Sequence, residues 1–195
     1  MKELRDDKLL AKSKNLFSNI LKLKKLNIGN NYCANMLDWF NEVVLKNIAL
    51  YKSKKSDEMM DQELYRKSRQ HVYWINFGRN IGSEFQDYHY AVVLFESKYT
   101  AIVVPLTSKK EHDPAWIEEN KDFIVDLGVV AGYPNESKDC YACTFMLQTV
   151  SKKRLDRCGN KETGYFNIRI SDEQMAAICN KINNITYNTL NDIDN

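Results

Sequence analysis

No uninterrupted apolar run in this chain is long enough to cross a bilayer, and no apolar leader core follows its basic start. A membrane span and a secretory leader are therefore not expected, and the reading is a cytoplasmic protein. An excess of one charge is lacking too: 28 Lys and Arg face 26 Asp and Glu, a formal net charge of +2, so the molecule as a whole is no polycation. Internal repeats and low-complexity tracts are absent, which leaves out solenoids and biased linkers. Cysteine is present in an odd number, five, which without a leader reads as reduced thiols rather than a disulfide framework. Cys140-Tyr141-Ala142-Cys143 has the spacing of half a zinc site. It opens an apolar run that reads as a strand, where residues three apart point to opposite faces. No second such pair and no nearby pair of histidines completes four ligands. Neither a metal nor another cofactor is expected.

What the chain does contain is divided unevenly. Residues 1–70 carry 15 Lys and Arg against 9 Asp and Glu, and residues 71–195 carry 13 against 17. A basic first part suits a nucleic acid, a membrane surface or simply a solvated helical face. Leu9, Leu16, Ile20 and Leu23 recur at helical spacing within residues 2–26, in a lysine-rich background. Gly29 and the asparagines beside it predict a stop and a new start. Cys33, Leu37, Phe40, Val44, Ile48 and Tyr51 mark one face of a second helix over about 31–52. The pair reads as a helical hairpin, followed by a charged linker with Ser56 as a possible cap. The boundary is placed at residue 69: residues 1–69 form a helical extension and linker, and residues 70–195 form the main domain.

From His71 the period becomes strand-like. Strands are predicted at 72–77, 89–96, 99–106, 122–130, 142–150 and 165–170. A serine-capped turn is predicted at 151–155, and a closing helix after the capping box Ser171-Asp172-Glu173-Gln174. The segment 108–121 reads as a long polar loop of the kind that covers a site. Short strands with one terminal helix predict an α+β domain built as a small half-open β-barrel, the helix packed across it.

The stretch from Val72 to Lys110 concentrates the chemistry. Gly82-Ser83-Glu84 and His89 stand in a connection between strands, and Thr107-Ser108-Lys109-Lys110 close the third strand. Hydroxyls, lysines, a carboxylate and an imidazole at strand ends form a plausible set for phosphodiester chemistry. The aromatics Phe85, Tyr88, Tyr90 and Trp116 are candidates for stacking on unpaired bases.

Four ordered blocks carry a resemblance. Arg69-Gln70-His71-Val72-Tyr73-Trp74, then Gly82-Ser83-Glu84, then Val104-Pro105-Leu106-Thr107-Ser108, then Gln148-Thr149-Val150-Ser151-Lys152-Lys153-Arg154-Leu155 follow the pattern of the MazF/PemK toxins. These are mRNA interferases of type II toxin–antitoxin systems. The resemblance covers residues 69–190 and leaves out the first seventy. It implies an SH3-like barrel that dimerises, pairs with a cognate antitoxin and cleaves single-stranded RNA without metal. The 2′-hydroxyl attacks phosphorus, leaving a 2′,3′-cyclic phosphate and a 5′-hydroxyl. One position departs from the family: where relatives carry the main catalytic arginine, this chain has His89. Imidazole is the better proton carrier near neutrality and the poorer permanent counter-charge. His89 is accordingly assigned as general base or acid. Thr107 and Ser108 are assigned as hydrogen-bond donors to the phosphoryl oxygens, and Lys110 or Lys109 as the source of positive charge. The string Pro105-Leu106-Thr107-Ser108-Lys109-Lys110 also resembles ToxN-type endoribonucleases, which adds weight to Lys110. Ser83, Glu84, Lys109 and Gln148 are expected to line the RNA groove. Two other classes stay open. One is a MazF/CcdB-like protein that binds RNA, an antitoxin or a gyrase-like target without cutting; the other makes the helical hairpin the main interaction module.

Overall fold

The computed structural model describes residues 6–26, 30–53, 69–133, 139–160, 162 and 164–191. The chain divides into two compact units, Met1–Tyr51 and Lys52–Asn195. The first unit holds α1 (Asp6–Lys25) and most of α2 (Asn30–Ser53), at the positions that the apolar spacing predicts. Acidic Asp6 and Asp7 sit in the first turn of α1 and Lys22, Lys24 and Lys25 in its last, each sign at the helix end that the backbone dipole favours. Ile20 and Cys33 are its buried apolar side chains among the described residues, and the Cys33 thiol lies 3.9 Å from the Ile20 carbonyl. Leu9, Leu10, Phe17, Val44 and Leu45 stay more than half exposed. Gly29 and Ser56 lie outside the described residues.

The second unit is an antiparallel sheet. Its strands are β1 (His71–Asn76), β2 (Tyr88–Glu96), β3 (Thr100–Ser108), β4 (Ile124–Val129), β5 (Asp139–Cys143), β6 (Gln148–Ser151) and β9 (Ile168–Arg169), in the order β4-β5-β3-β2-β1-β9. The small hairpin β7 (Cys158–Asn160) and β8 (Gly164–Phe166) stands apart from that sheet. A short helix α3 (Ala115–Glu119) precedes β4, and α4 (Asp172–Asn191) closes the chain. The curled sheet with its terminal helix is the α+β half-barrel expected from the sequence.

β3 is the hub. One edge pairs with β2, Val92 opposite Val104 and Tyr90 opposite Leu106. The other edge is shared by two strands, β6 along residues 100–103 and β5 along residues 106–108. Pro105 falls in the gap between them. Proline has no N–H to donate and is tolerated in a sheet only where no partner needs one, so the break in pairing and the proline occur together. The same switch explains why the predicted strand 142–150 is two strands. The chain pairs first with the late part of β3 and then with its early part. It turns between them through a tight helical turn at Thr144–Met146, where the Thr144 hydroxyl donates to the Phe123 carbonyl. The predicted strand 165–170 is likewise divided, β8 pairing with β7 and β9 with β1.

Both faces of the sheet are covered. Val72, Val92, Val104, Leu106 and Ile168 pack on one side with Met175 and Ile178 of α4. Ile75, Ala91, Val93, Val103, Val150 and Leu155 pack on the other. Two-sided burial is why β2 and β3 read as continuous apolar runs rather than alternating ones. Burying one such side chain is worth about 1.5–3 kcal/mol, so this core, not the polar contacts, holds the strand ends in place.

The capping box forms as predicted. The Gln174 N–H donates to the Ser171 hydroxyl at 3.1 Å, and the Ser171 N–H donates to Gln174 Oε1 at 2.9 Å. Gln174 Nε2 also donates to the carbonyls of Leu127 and Val129, tying α4 to β4. Ser151 caps the turn Lys152–Arg154, as its sequence suggests. Ser171→Ala is expected to cost about 1 kcal/mol. Gln174→Ala removes the cap and the tie to β4 together and is expected to cost more. Urea unfolding of the two variants checks the order.

Candidate active site

A groove of about 720 Å³ opens where β2 begins and β3 ends. Four segments line it: residues 83–86 of the β1–β2 connection, the strand positions His89, Thr107 and Ser108, the stretch from Lys110 to Asn120, and Phe145 with Met146. The sheet register explains the convergence. Tyr90 pairs with Leu106, so one step further out along the same antiparallel register His89 lies opposite Thr107. His89 pairs with Ile75 on its other side, Thr107 with Tyr141, and Tyr141 with Asp126. One row thus crosses five strands, and paired residues in such a row project to the same side.

His89 is half-buried. Its ring centroid is 4.4 Å from that of Phe85, tilted by 56°, and the imidazole is hydrogen-bonded to the backbone of Leu106. Burial holds its pKa below the ordinary value of 6.5; the nearby Asp87 carboxylate and the Leu106 bond oppose that shift without reversing it. Near neutral pH it is therefore mainly the uncharged base. Asp87 is oriented by the Arg79 guanidinium at 2.7 Å.

The connection that carries Ser83 and Glu84 is braced from within. Asn80 Nδ2 donates to the carbonyl of Phe85 at 2.7 Å and to that of Phe77 at 3.3 Å, and Gln86 Nε2 donates to Gly82. Gly82 takes a left-handed conformation, φ 61°, that suits glycine. Ser83 and Glu84 are exposed at the groove's edge.

The two hydroxyls differ. Thr107 is half-buried, and its hydroxyl makes no hydrogen bond among the described residues. The Ser108 hydroxyl is bonded to the Tyr133 phenol, which also bonds the Cys140 thiol. Successive strand residues face opposite sides, so Thr107 projects with His89 while Ser108 turns toward Tyr133. The aromatics divide the same way. Phe85 and Trp116 line the groove. Tyr88 stacks on Trp74 at 5.8 Å, and Tyr90 packs between Trp74 and Tyr133.

The lysine pair is split as well. Lys109 Nζ lies 3.0 Å from Asp126 and 3.8 Å from Asp139, and 5.5 Å from the Tyr141 ring centroid. Its hydrogen bond to Asp126 raises its pKa. Lys110 lines the groove, and its ammonium makes no ion pair among the described residues. The structure brings His89, Thr107, Ser108, Lys110, Ser83 and Glu84 to one groove; Lys109 and Gln148 are not among its lining residues. Gln148 sits on β6 opposite Val103, four residues back along β3 from Thr107.

Sequence reasoning missed Asp113, Gln86, Glu119, Asn120, Phe145 and Met146, all of which line the groove. Asp113 accepts from the Lys110 N–H at 2.8 Å and from the Tyr141 hydroxyl at 2.7 Å. Those two bonds, in that order, hold its carboxyl below the usual range. An aspartate before a proline in a polar stretch reads as a turn former, and the only available signal was the unusual length of that loop. Cys140 and Cys143 are buried in β5, their thiol pKa values pushed up to about 11 and about 12 by burial.

Because burial depresses the His89 pKa, the unfolded chain takes up this proton first as pH falls. The contribution is present above about pH 6.5 and is lost as pH drops through the lower folded value. His89→Asn is expected to lose less Tm than the wild type between pH 7.5 and pH 5.5, measured by thermal melts at both pH values.

The sequence profile of the PemK-like, MazF-like toxins of type II toxin–antitoxin systems matches residues 68–186. Among solved structures, the chain is similar to MazF from Deinococcus radiodurans in its form I crystal: 17% identity over 62% of this chain and 96% of that one, with a TM-score of 0.41. It is also similar to MazE–MazF from the same organism, at 16% identity over 63% of this chain and 96% of that one, with a TM-score of 0.39. No curated protein sequence matches the chain.

Proposed function

The chain belongs to the PemK-like, MazF-like toxins of type II toxin–antitoxin systems, and from that premise we propose that it is a metal-independent endoribonuclease acting on single-stranded RNA. The observation that carries this reading is the meeting of His89 from the start of β2 with Thr107 and Lys110 from the end of β3, in one groove with Ser83 and Glu84. A phosphodiester seated against Thr107 accepts a hydrogen bond from its otherwise uncommitted hydroxyl. The Lys110 ammonium compensates the charge that grows on the non-bridging oxygens. Neutral His89 takes the proton of the 2′-hydroxyl, whose oxygen attacks phosphorus. The P–O5′ bond breaks, giving a 2′,3′-cyclic phosphate, and the 5′-oxygen, on the far side of phosphorus, takes a proton from water. Ser108, bonded to Tyr133 and lining the groove, keeps its own O–H for phosphate when it accepts from that phenol. Phe85 and Trp116 offer faces for unpaired bases. Family membership supports a cognate antitoxin as partner, and a homodimer as the assembled form.

The groove also favours a second reading at one point. Glu84, Asp113 and Glu119 line it beside a single lysine, a balance that weakens the hold on a polyanion and suits binding of a protein without cleavage.

Incubating the purified chain with mixed-sequence RNA in EDTA separates the two. Cleavage to 5′-hydroxyl ends is expected. His89→Ala should lower the single-turnover rate about 10²–10⁴-fold, the usual worth of a positioned general base, and Thr107→Ala should lower it by tenfold or more. Intact RNA at high protein concentration would overturn the nuclease reading and leave the binding one.

A further inference from the structure

We propose that Asp113 is the positioning residue that delivers the Lys110 ammonium to the groove, with Tyr141 as the strut that holds Asp113. This rests on the endoribonuclease reading above and adds a residue that the sequence blocks do not contain.

β3 ends at Ser108, so the two lysines that follow leave the regular sheet. The Lys109 N–H still reaches β5, donating to the Asp139 carbonyl at 2.8 Å. Its ammonium is held beside Asp126 and Asp139. Lys110 is the first residue past that anchorage. A lysine side chain is long and rich in rotamers, and nothing in β3 itself directs this one toward a phosphate. Asp113 supplies the missing constraint. Its Oδ1 closes the turn 110–113 by accepting from the Lys110 N–H, which fixes the backbone from which the lysine projects. Its Oδ2 accepts from the Tyr141 hydroxyl. Tyr141 is itself fixed: it lies in β5 opposite Thr107, and its ring packs with Ile117 and Ile124. The path from Thr107 through Tyr141 and Asp113 to Lys110 therefore ties the turn to the strand that presents the hydroxyl. The hydroxyl and the ammonium that are to share one phosphate are thereby held in a single frame. A charge held in place before reaction spares reorganisation when the phosphorane forms.

The test compares Lys110→Ala, Asp113→Ala, Asp113→Asn, Tyr141→Phe and the double variant Lys110→Ala/Asp113→Ala in single-turnover cleavage of a single-stranded RNA in EDTA. Asp113→Ala is expected to lower the saturating rate at least tenfold, with the half-saturating RNA concentration within threefold of wild type. The double variant should be no worse than Lys110→Ala alone, because both changes remove the same placed charge. Asn can accept from the Lys110 N–H and donate to Tyr141, so Asp113→Asn should recover to within threefold of wild type. A purely structural aspartate would instead give losses that multiply with that of Lys110→Ala. Tyr141→Phe keeps the ring packed and serves if Asp113→Ala does not fold; it should slow cleavage severalfold, with no further loss in the Lys110→Ala background. Multiplying losses, or an Asp113→Ala protein within threefold of wild type, would overturn the positioning role while the nuclease reading stands. So would a Lys110→Ala protein as fast as wild type. If the wild type leaves RNA intact, the nuclease reading fails. Binding of a 2′-O-methyl oligonucleotide then decides the positioning role: Asp113→Ala as weak as Lys110→Ala supports it, and Asp113→Ala equal to wild type overturns it.

Discussion

The rest of this domain depends on the divided edge of β3. A strand with one partner along its first half and another along its second must have a place where neither partner reaches. Pro105 occupies that place. Beyond it β3 continues for three residues against β5, far enough to bring Thr107 between Tyr141 on one side and His89 on the other. If β3 paired with a single strand throughout, the tight turn at Thr144–Met146 would not be needed, and Phe145 and Met146 would not reach the groove. The sheet's topology and the groove's composition are thus consequences of the same break in pairing. The apolar cores on both faces make the break tolerable, because the lost ladder contacts are few beside two-sided burial of β2 and β3.

Much of this was legible in the residues. The helices, the cap at Ser171, the turn at Ser151, and β1, β2 and β3 follow from local periodicity and turn chemistry, which operate over a few residues. Those signals also brought His89, Thr107 and Lys110 into view. What was not legible is whatever depends on pairing across long separations. The division of 142–150 into two strands reflects which half of β3 each piece meets, and no local pattern encodes that. Lys109 and Lys110 are adjacent and chemically identical in sequence. They differ because Asp126 and Asp139, seventeen and thirty residues further along, capture one of them. Ser108 and Thr107 separate for a simpler reason: alternation along a strand sends neighbours to opposite faces, and only the position of Tyr133 reveals which face holds Ser108. Asp113 was missed because its importance lies in what it bonds, not in what surrounds it in the chain.

If His89 stands where the family has arginine, as the motif resemblance implies, the exchange changes the electrostatic problem and not only the proton-transfer chemistry. A guanidinium is a fixed positive charge at every accessible pH, whereas a half-buried imidazole with a lowered pKa is mainly neutral near pH 7. The groove then presents Lys110 against Glu84, Asp113 and Glu119. Such a surface draws in a polyanion weakly by long-range attraction, so in the proposed nuclease the hold on RNA would come from short-range contacts: the Thr107 hydroxyl, one well-placed ammonium, and aromatic faces at Phe85 and Trp116. Short-range contacts depend on geometry far more steeply than a diffuse positive field does. On the proposed reading, a groove without the arginine needs its lysine placed firmly, and the bonds that Asp113 accepts from Lys110 and Tyr141 would carry more weight than they would beside a permanent guanidinium.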